Sequence, residues 1–303
     1  APPLTTQDGE FMQSIRVFLK KLNRLLANKW VNNSLLLVCG IVFVVSLFYI
    51  ARWVLENRET GLIMEDAQSS VSMPEPDPFD TELFIIPPSV DGQPDEPIYS
   101  FPNTDFLTVD FSSWKKKNAD TVGWVWVKGT KINYPVVQTK DNEYYLDYNF
   151  ETKKSSAGWM FGDYRNDFTN IGRNTIIYGH ARIDRSMLGS LYYTQSKTWY
   201  GDPANLFVRF NTLYDQMVFQ VFSIYVTDIK FNYIKTSFAS DDEYVSFLKQ
   251  IRKKSTTPLP AVSLSADDRI LTFSTCTAAD NKRLVMHAKL IKTKPASTPL
   301  ANR

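Results

Sequence analysis

DRILTFSTCTAADNKRLVMHAKLI, residues 268–291, reads as two strands around a polar turn. Ile270-Leu271-Thr272-Phe273 and Leu284-Val285-Met286 are rich in β-branched and apolar side chains, and residues 277–282 are turn formers. Paired as an antiparallel hairpin, the strands bring Cys276, ending the first, beside Arg283, opening the second. A candidate nucleophile thus stands next to a permanent positive charge.

What a lone thiol can do depends on its compartment, and the front of the chain bears on that. Residues 35–51, LLLVCGIVFVVSLFYIA, carry no charge, and the apolar run resumes after Arg52 with Trp53-Val54-Leu55. Crossing a bilayer takes roughly 20 residues at about 1.5 Å rise each. The run is apolar on every face with no amphipathic period, unlike a helix lying against a core. It is too long for a cleaved signal peptide, and no small-residue cleavage site follows. One transmembrane helix is expected over 34–55.

Arg16, Lys20, Lys21, Arg24 and Lys29 precede the span, whereas only Arg52 and Arg58 follow before the chain turns acidic. The positive-inside rule then places residues 1–33 in the cytoplasm and the large C-terminal part outside the cell membrane. Met12 is a candidate natural start, so residues 1–11 are left out of the fold reading.

Lys+Arg 34 against Asp+Glu 32 leaves no charge bias and no basic stripe to track a phosphate backbone, which argues against nucleic acid as a partner. The chain has two cysteines, Cys39 in the span and Cys276 beyond it, so the external part cannot form an internal disulfide. A lone thiol in an oxidising compartment is a liability unless used or buried. Residues 56–104 carry Pro74, Pro76, Pro78, Pro87, Pro88, Pro94, Pro97 and Pro102 among acidic residues and read as a spacer.

Residues 105–294 are long enough for one domain with a sizeable core, leaving 295–303 as a tail. A short helix is expected over 106–118. Residues 122–127 and 132–137 flank a Lys128-Gly129-Thr130-Lys131 turn as a hairpin, and further strands are expected over 158–162, 174–178, 205–210 and 214–228. Many short strands favour a mainly β fold, a closed or nearly closed barrel. One helix interrupts them: Ser240-Asp241-Asp242-Glu243 is a capping box, and Tyr244, Val245, Phe247, Leu248 and Ile251 share a face.

A thiol near its ordinary pKa of about 8.5 needs a base or a favourable charge environment to act as a nucleophile. The chain offers His180 and His287. His180 leaves the apolar strand Thr175-Ile176-Ile177-Tyr178 just after Gly179, a rim position, whereas His287 lies inside its strand and reads as structural. The scattered acids Asp141, Glu143, Asp147, Asp163 and Asp167 lack calcium-loop spacing, so neither a metal nor a cofactor is expected.

Leu271-Thr272-Phe273-Ser274-Thr275-Cys276, with Arg283 seven residues on, resembles the thiol signature of sortases, often written TLxTC. Val122-Gly123-Trp124, the stretch GTKINYPVVQ at 129–138 and Asn174-Thr175-Ile176-Ile177-Tyr178-Gly179-His180 agree, so the resemblance covers most of the globular part. The helix over 241–255, DYRN at 163–166 and SMLGSL at 186–191 resemble class B members.

The resemblance implies an eight-stranded sortase-type barrel with an N-terminal helix and a helix before the catalytic strand. It implies a membrane-anchored cysteine transpeptidase that cuts a sorting signal of secreted proteins after threonine. The enzyme holds the acyl group as a thioester and passes it to an amine of a peptidoglycan precursor or cross-bridge. By position, Cys276 is then the nucleophile, His180 the general acid and base, and Arg283 the substrate clamp and oxyanion stabiliser. Ser274, Thr275, Tyr233 and Ile234 become candidates for contacting the signal. Three other readings stand beside it: a cell-wall cysteine hydrolase with water as acceptor, a pilin-polymerising sortase, and a non-catalytic surface-binding module.

Overall fold

The computed structural model describes residues 13, 15–21, 29–71, 81–83, 100–102, 106–276 and 281–296. Most of the proline-rich part of the expected spacer, the turn at 277–280 and the tail beyond 296 lie outside the described residues.

The sheet is laid down in short pieces. Strand β1 (Thr121–Val127) turns through Gly129 into β2 (Asn133–Val137), antiparallel with Trp124 opposite Pro135. Gly129 has a φ of +73° and a Cβ there would meet the Trp199 ring at 2.8 Å, so the turn needs glycine. Next come β3 (Phe161–Gly162), β4 (Asn174–Tyr178), β5 (Phe207–Thr212), β6 (Asp215–Asp228), β7 (Ile270–Cys276) and β8 (Lys282–Pro295). Among the described residues these eight close into a barrel in the order β8-β6-β5-β1-β2-β3-β4-β7, with β7 pairing back to β8. Most pairs are antiparallel, but β2–β3 and β4–β7 are parallel.

Alternation along the strands separates two apolar layers. Leu271 and Phe273 of β7 and Leu284, Met286 and Ala288 of β8 join Val125, Phe210 and Phe219 in the principal core. Ile270 and Val285 belong to a second cluster, with Phe222 and Tyr225 of β6, beneath the helix Asp241–Lys253. That helix buries Tyr244, Phe247, Leu248 and Ile251 of the face its periodicity predicts, while Val245, expected with them, is only partly buried. Its capping box forms almost as read: Ser240 Oγ accepts from Glu243 N at 3.2 Å, while Glu243 Oε2 accepts from Ala239 N at 2.6 Å, one residue before the cap.

The strand expected over 205–210 lies at Phe207–Thr212, and three other boundaries differ more from the sequence reading. The first barrel helix spans Phe111–Lys117, because the Asp110 carboxylate accepts from Ser112 N and caps it there. The strand expected over 158–162 shrinks to two residues because Gly158 sits at φ +58°. The apolar helix runs over Lys29–Ser69, well past residue 55. Residues 56–69 contain Glu, Arg, Leu, Met and Ala, good helix formers, and the next proline after them is Pro74.

The chain divides into two units, Ala1–Glu56 and Asn57–Arg303. In the first, the apolar helix is long enough to cross a membrane and its most apolar window is unburied. In the second, the helix packs Ile63, Met64 and Ala67 into the principal core. Thr60 Oγ1 bonds Ser155 Oγ at 3.1 Å, and Gln68 Nε2 donates to Lys131 O and Tyr134 Oη at 3.0 and 3.2 Å.

Candidate active site

Two ladders meet on β7. On one side β4 runs parallel to it, from Asn174 opposite Ile270 to Tyr178 opposite Ser274. Continuing that register brings Gly179 level with Thr275 and His180 level with Cys276; Thr275 Oγ1 donates to Gly179 O at 2.7 Å, which locks the two chains at this level. On the other side β8 runs antiparallel, with Arg283 directly opposite Cys276. Cys276 on β7, Arg283 on β8 and His180, two residues beyond the end of β4, therefore reach the same end of the barrel.

His180 is half-buried, and its Nε2 lies 2.8 Å from Leu146 O, on the short helix Tyr144–Asp147. A carbonyl can only accept, so Nε2 carries a hydrogen and Nδ1 is the ring nitrogen left for proton transfer. Gly158 backs this arrangement: a Cβ there would lie 2.8 Å from Leu146 O and 2.9 Å from His180 Cδ2. Arg283 Nη1 donates to Lys282 O at 2.9 Å.

His287 stands elsewhere, fully buried under the second apolar layer. Thr272 Oγ1 donates to Asn174 Oδ1 at 2.6 Å and so accepts from His287 Nδ1 at 2.8 Å; Tyr225 Oη then donates to Nε2 at 2.9 Å. The ring is neutral, with burial pulling its pKa down to about 3. It serves as a structural hydrogen-bond link, as its mid-strand position predicts.

The candidates for contacting a substrate lie beside this end. Tyr233 and Ser274 are buried and bond each other through their hydroxyls at 2.8 Å, Thr275 spends its hydroxyl on Gly179, and Ile234 remains partly exposed.

The Sortase domain family model matches residues 125–291, more than half of the chain. The chain belongs to the sortase family. Sortase B of Staphylococcus aureus is 40% identical over 185 residues, covering 60% of this chain and 75% of that protein. The structure of the Staphylococcus aureus sortase B–substrate complex is 39% identical and superposes with a TM-score of 0.56 over 60% of this chain and 84% of that one. Sortase B from Bacillus anthracis in complex with AAEK1 is 34% identical, with a TM-score of 0.61, over 78% and 99% of the two chains. The present chain is accordingly a class B sortase, a cysteine transpeptidase, with the closed mixed barrel of those structures.

Around the sortase site two acids are held ionised. Burial would raise Asp163, but bonds from Arg165 and Tyr178 outweigh it and leave the carboxyl below its ordinary value. In the loop after His180, burial likewise opposes Arg182 and Ser186 at Asp184, whose pKa falls to about 2. Arg182 also donates to Asn57 Oδ1 at 2.7 Å. Sequence reasoning missed the Leu146 carbonyl, Gly158 and the Asp163–Arg165 pair; the DYRN stretch was the signal for the last, and a backbone carbonyl carries none.

Proposed function

We propose that Cys276, His180 and Arg283 carry out the sortase reaction on a C-terminal sorting signal of secreted proteins. The Cys276 thiol passes its proton to His180 Nδ1 as its sulfur attacks the threonyl carbonyl. As the tetrahedral intermediate collapses, the C–N bond breaks and His180 Nδ1 gives its proton to the departing amine, leaving a thioester. An amine of a peptidoglycan precursor or cross-bridge then attacks the thioester, losing a proton to the same nitrogen, and the thiolate leaves. Arg283 stabilises the oxyanion in both halves and aligns the signal backbone. Tyr233, Ile234, Ser274 and Thr275 form the adjoining wall for the signal. The observation that supports this reading is the convergence of both β7 ladders on Cys276, with His180 level on one side and Arg283 opposite on the other.

The apolar helix and its basic N-terminal flank support a single-pass anchor, with the N-terminus cytoplasmic and the barrel outside. Residues 56–104, partly helical, link anchor and catalytic domain.

The test uses the detergent-solubilised full chain, a panel of sorting-signal peptides, and added amines, read by mass spectrometry with Cys276→Ala as control. A thioacyl adduct on Cys276 and an amine-ligated product are expected. Cleavage indifferent to amine identifies a hydrolase instead, and no adduct with any peptide refutes the assignment.

A further inference from the structure

The DYRN turn has no part in the thiol chemistry, yet it is heavily invested. Asp163 is fully buried and its carboxylate accepts from Arg165 Nε at 2.8 Å and Nη2 at 2.6 Å, from Tyr178 Oη at 2.8 Å, and from Asn142 Nδ2 at 3.2 Å. A paired, multiply bonded carboxylate of this kind fixes its arginine in one orientation. Arg165 Nη2 uses that orientation to donate to Ile234 O at 3.0 Å.

A second side chain reaches the same segment from β4. Asn174 Nδ2 donates to Tyr233 O at 3.3 Å and to Lys235 O at 2.9 Å, with its Oδ1 taken by Thr272. The carbonyls of three consecutive residues are thus held by side chains, in a segment that belongs to neither helix nor strand. Backbone without a ladder ordinarily turns to water or stays mobile; here its position is imposed. The held segment carries the Tyr233 hydroxyl onto Ser274, two residues before Cys276, and leaves the Ile234 side chain partly exposed.

We propose that Arg165 and Asn174 are positioning residues of the sortase: they hold residues 233–235 as a preformed wall for the sorting signal. The proposal rests on the reading above that Tyr233 and Ile234 meet the signal. A preformed wall spares the signal the entropy of ordering that segment, so releasing it weakens binding without touching the proton-transfer geometry.

The experiment compares the full chain in detergent with Asp163→Asn/Arg165→Met and with Asn174→Ala. The paired substitution removes both charges together, so no unpaired charge is left buried. Three readouts are taken: KM and kcat for a signal peptide, the rate of Cys276 alkylation by iodoacetamide, and amide exchange over 233–238. The expected result is faster exchange in that segment, a KM raised about tenfold, and kcat and alkylation within about threefold of wild type. Arg165→Lys, which retains one donor, falls between. Unchanged KM in a folded variant, or unchanged exchange, overturns the proposal, as does a fall in kcat with KM constant. A wild-type chain that turns over no signal peptide overturns the substrate reading itself, and the wall role with it, whatever exchange shows.

Discussion

Gly158→Ala isolates the support behind His180. At φ +58° an L side chain costs about 1–2 kcal/mol from backbone sterics alone. The added methyl would also lie 2.6 Å from Tyr145 O, 2.8 Å from Leu146 O and 2.9 Å from His180 Cδ2, against ordinary contact from 3.4 Å upward. Relief therefore demands about 0.5 Å of movement at the imidazole and about 0.6 Å at the carbonyl that orients it. If a 1 Å misplacement costs about 10²-fold in rate, half that distance predicts a roughly tenfold fall in kcat. The assay is transpeptidation at saturating peptide and amine, together with the melting temperature. Gly172→Ala is the control, since a methyl there meets nothing within 4 Å. A Gly158→Ala enzyme with lowered melting temperature and wild-type kcat would show that the Leu146 carbonyl does not position His180 for catalysis.

His287 predicts an acid-sensitive fold. Its folded pKa of about 3 lies below the ordinary value, so between about pH 6.5 and 3 the unfolded chain takes up a proton that the folded chain refuses. Stability is full above pH 6.5 and falls by about 1.4 kcal/mol per pH unit below it; denaturant titrations at pH 7 and 5 should show a loss that His287→Gln abolishes. Deleting residues 57–70 strips Ile63, Met64 and Ala67 from the core, and the two larger side chains together should cost about 3–6 kcal/mol in chemical denaturation. Ser240→Ala removes the cap of the helix Asp241–Lys253 and should lower stability by about 1 kcal/mol, read from the denaturation midpoint.

Much of the barrel was legible because its signals are local. Residues 174–178 form the strand expected, the 240–243 capping box starts its helix, and the Cys276–Arg283 hairpin pairs in the register its ends suggest. Parallel pairing of β4 with β7 has no such signature, since no turn joins the partners and only the closed barrel reveals their register. The helical reach to Ser69 was hidden by averaging residues 56–69 with the prolines beyond them. The support of His180 was illegible for a different reason: its partner is the Leu146 main chain, which every residue type possesses. Tyr233, Ser274 and Thr275 could be placed near the site, but their mutual and backbone hydrogen bonds could not.

The parallel β4–β7 closure also sets a timetable. By continuation of the β4–β7 register His180 and Cys276 fall at one level though 96 positions apart in the chain, and Arg283 lies at the start of β8. A chain made from its N-terminus outward thus has its imidazole long before its thiol. The final hairpin must dock between β4 and β6 before the three groups share one level. Such non-local closure is slow because loop entropy must be overcome before contacts compensate it. If Cys276 is the nucleophile proposed above, the site is complete only once the last seam of the barrel has closed, and a chain that stops before β8 is expected to be inactive.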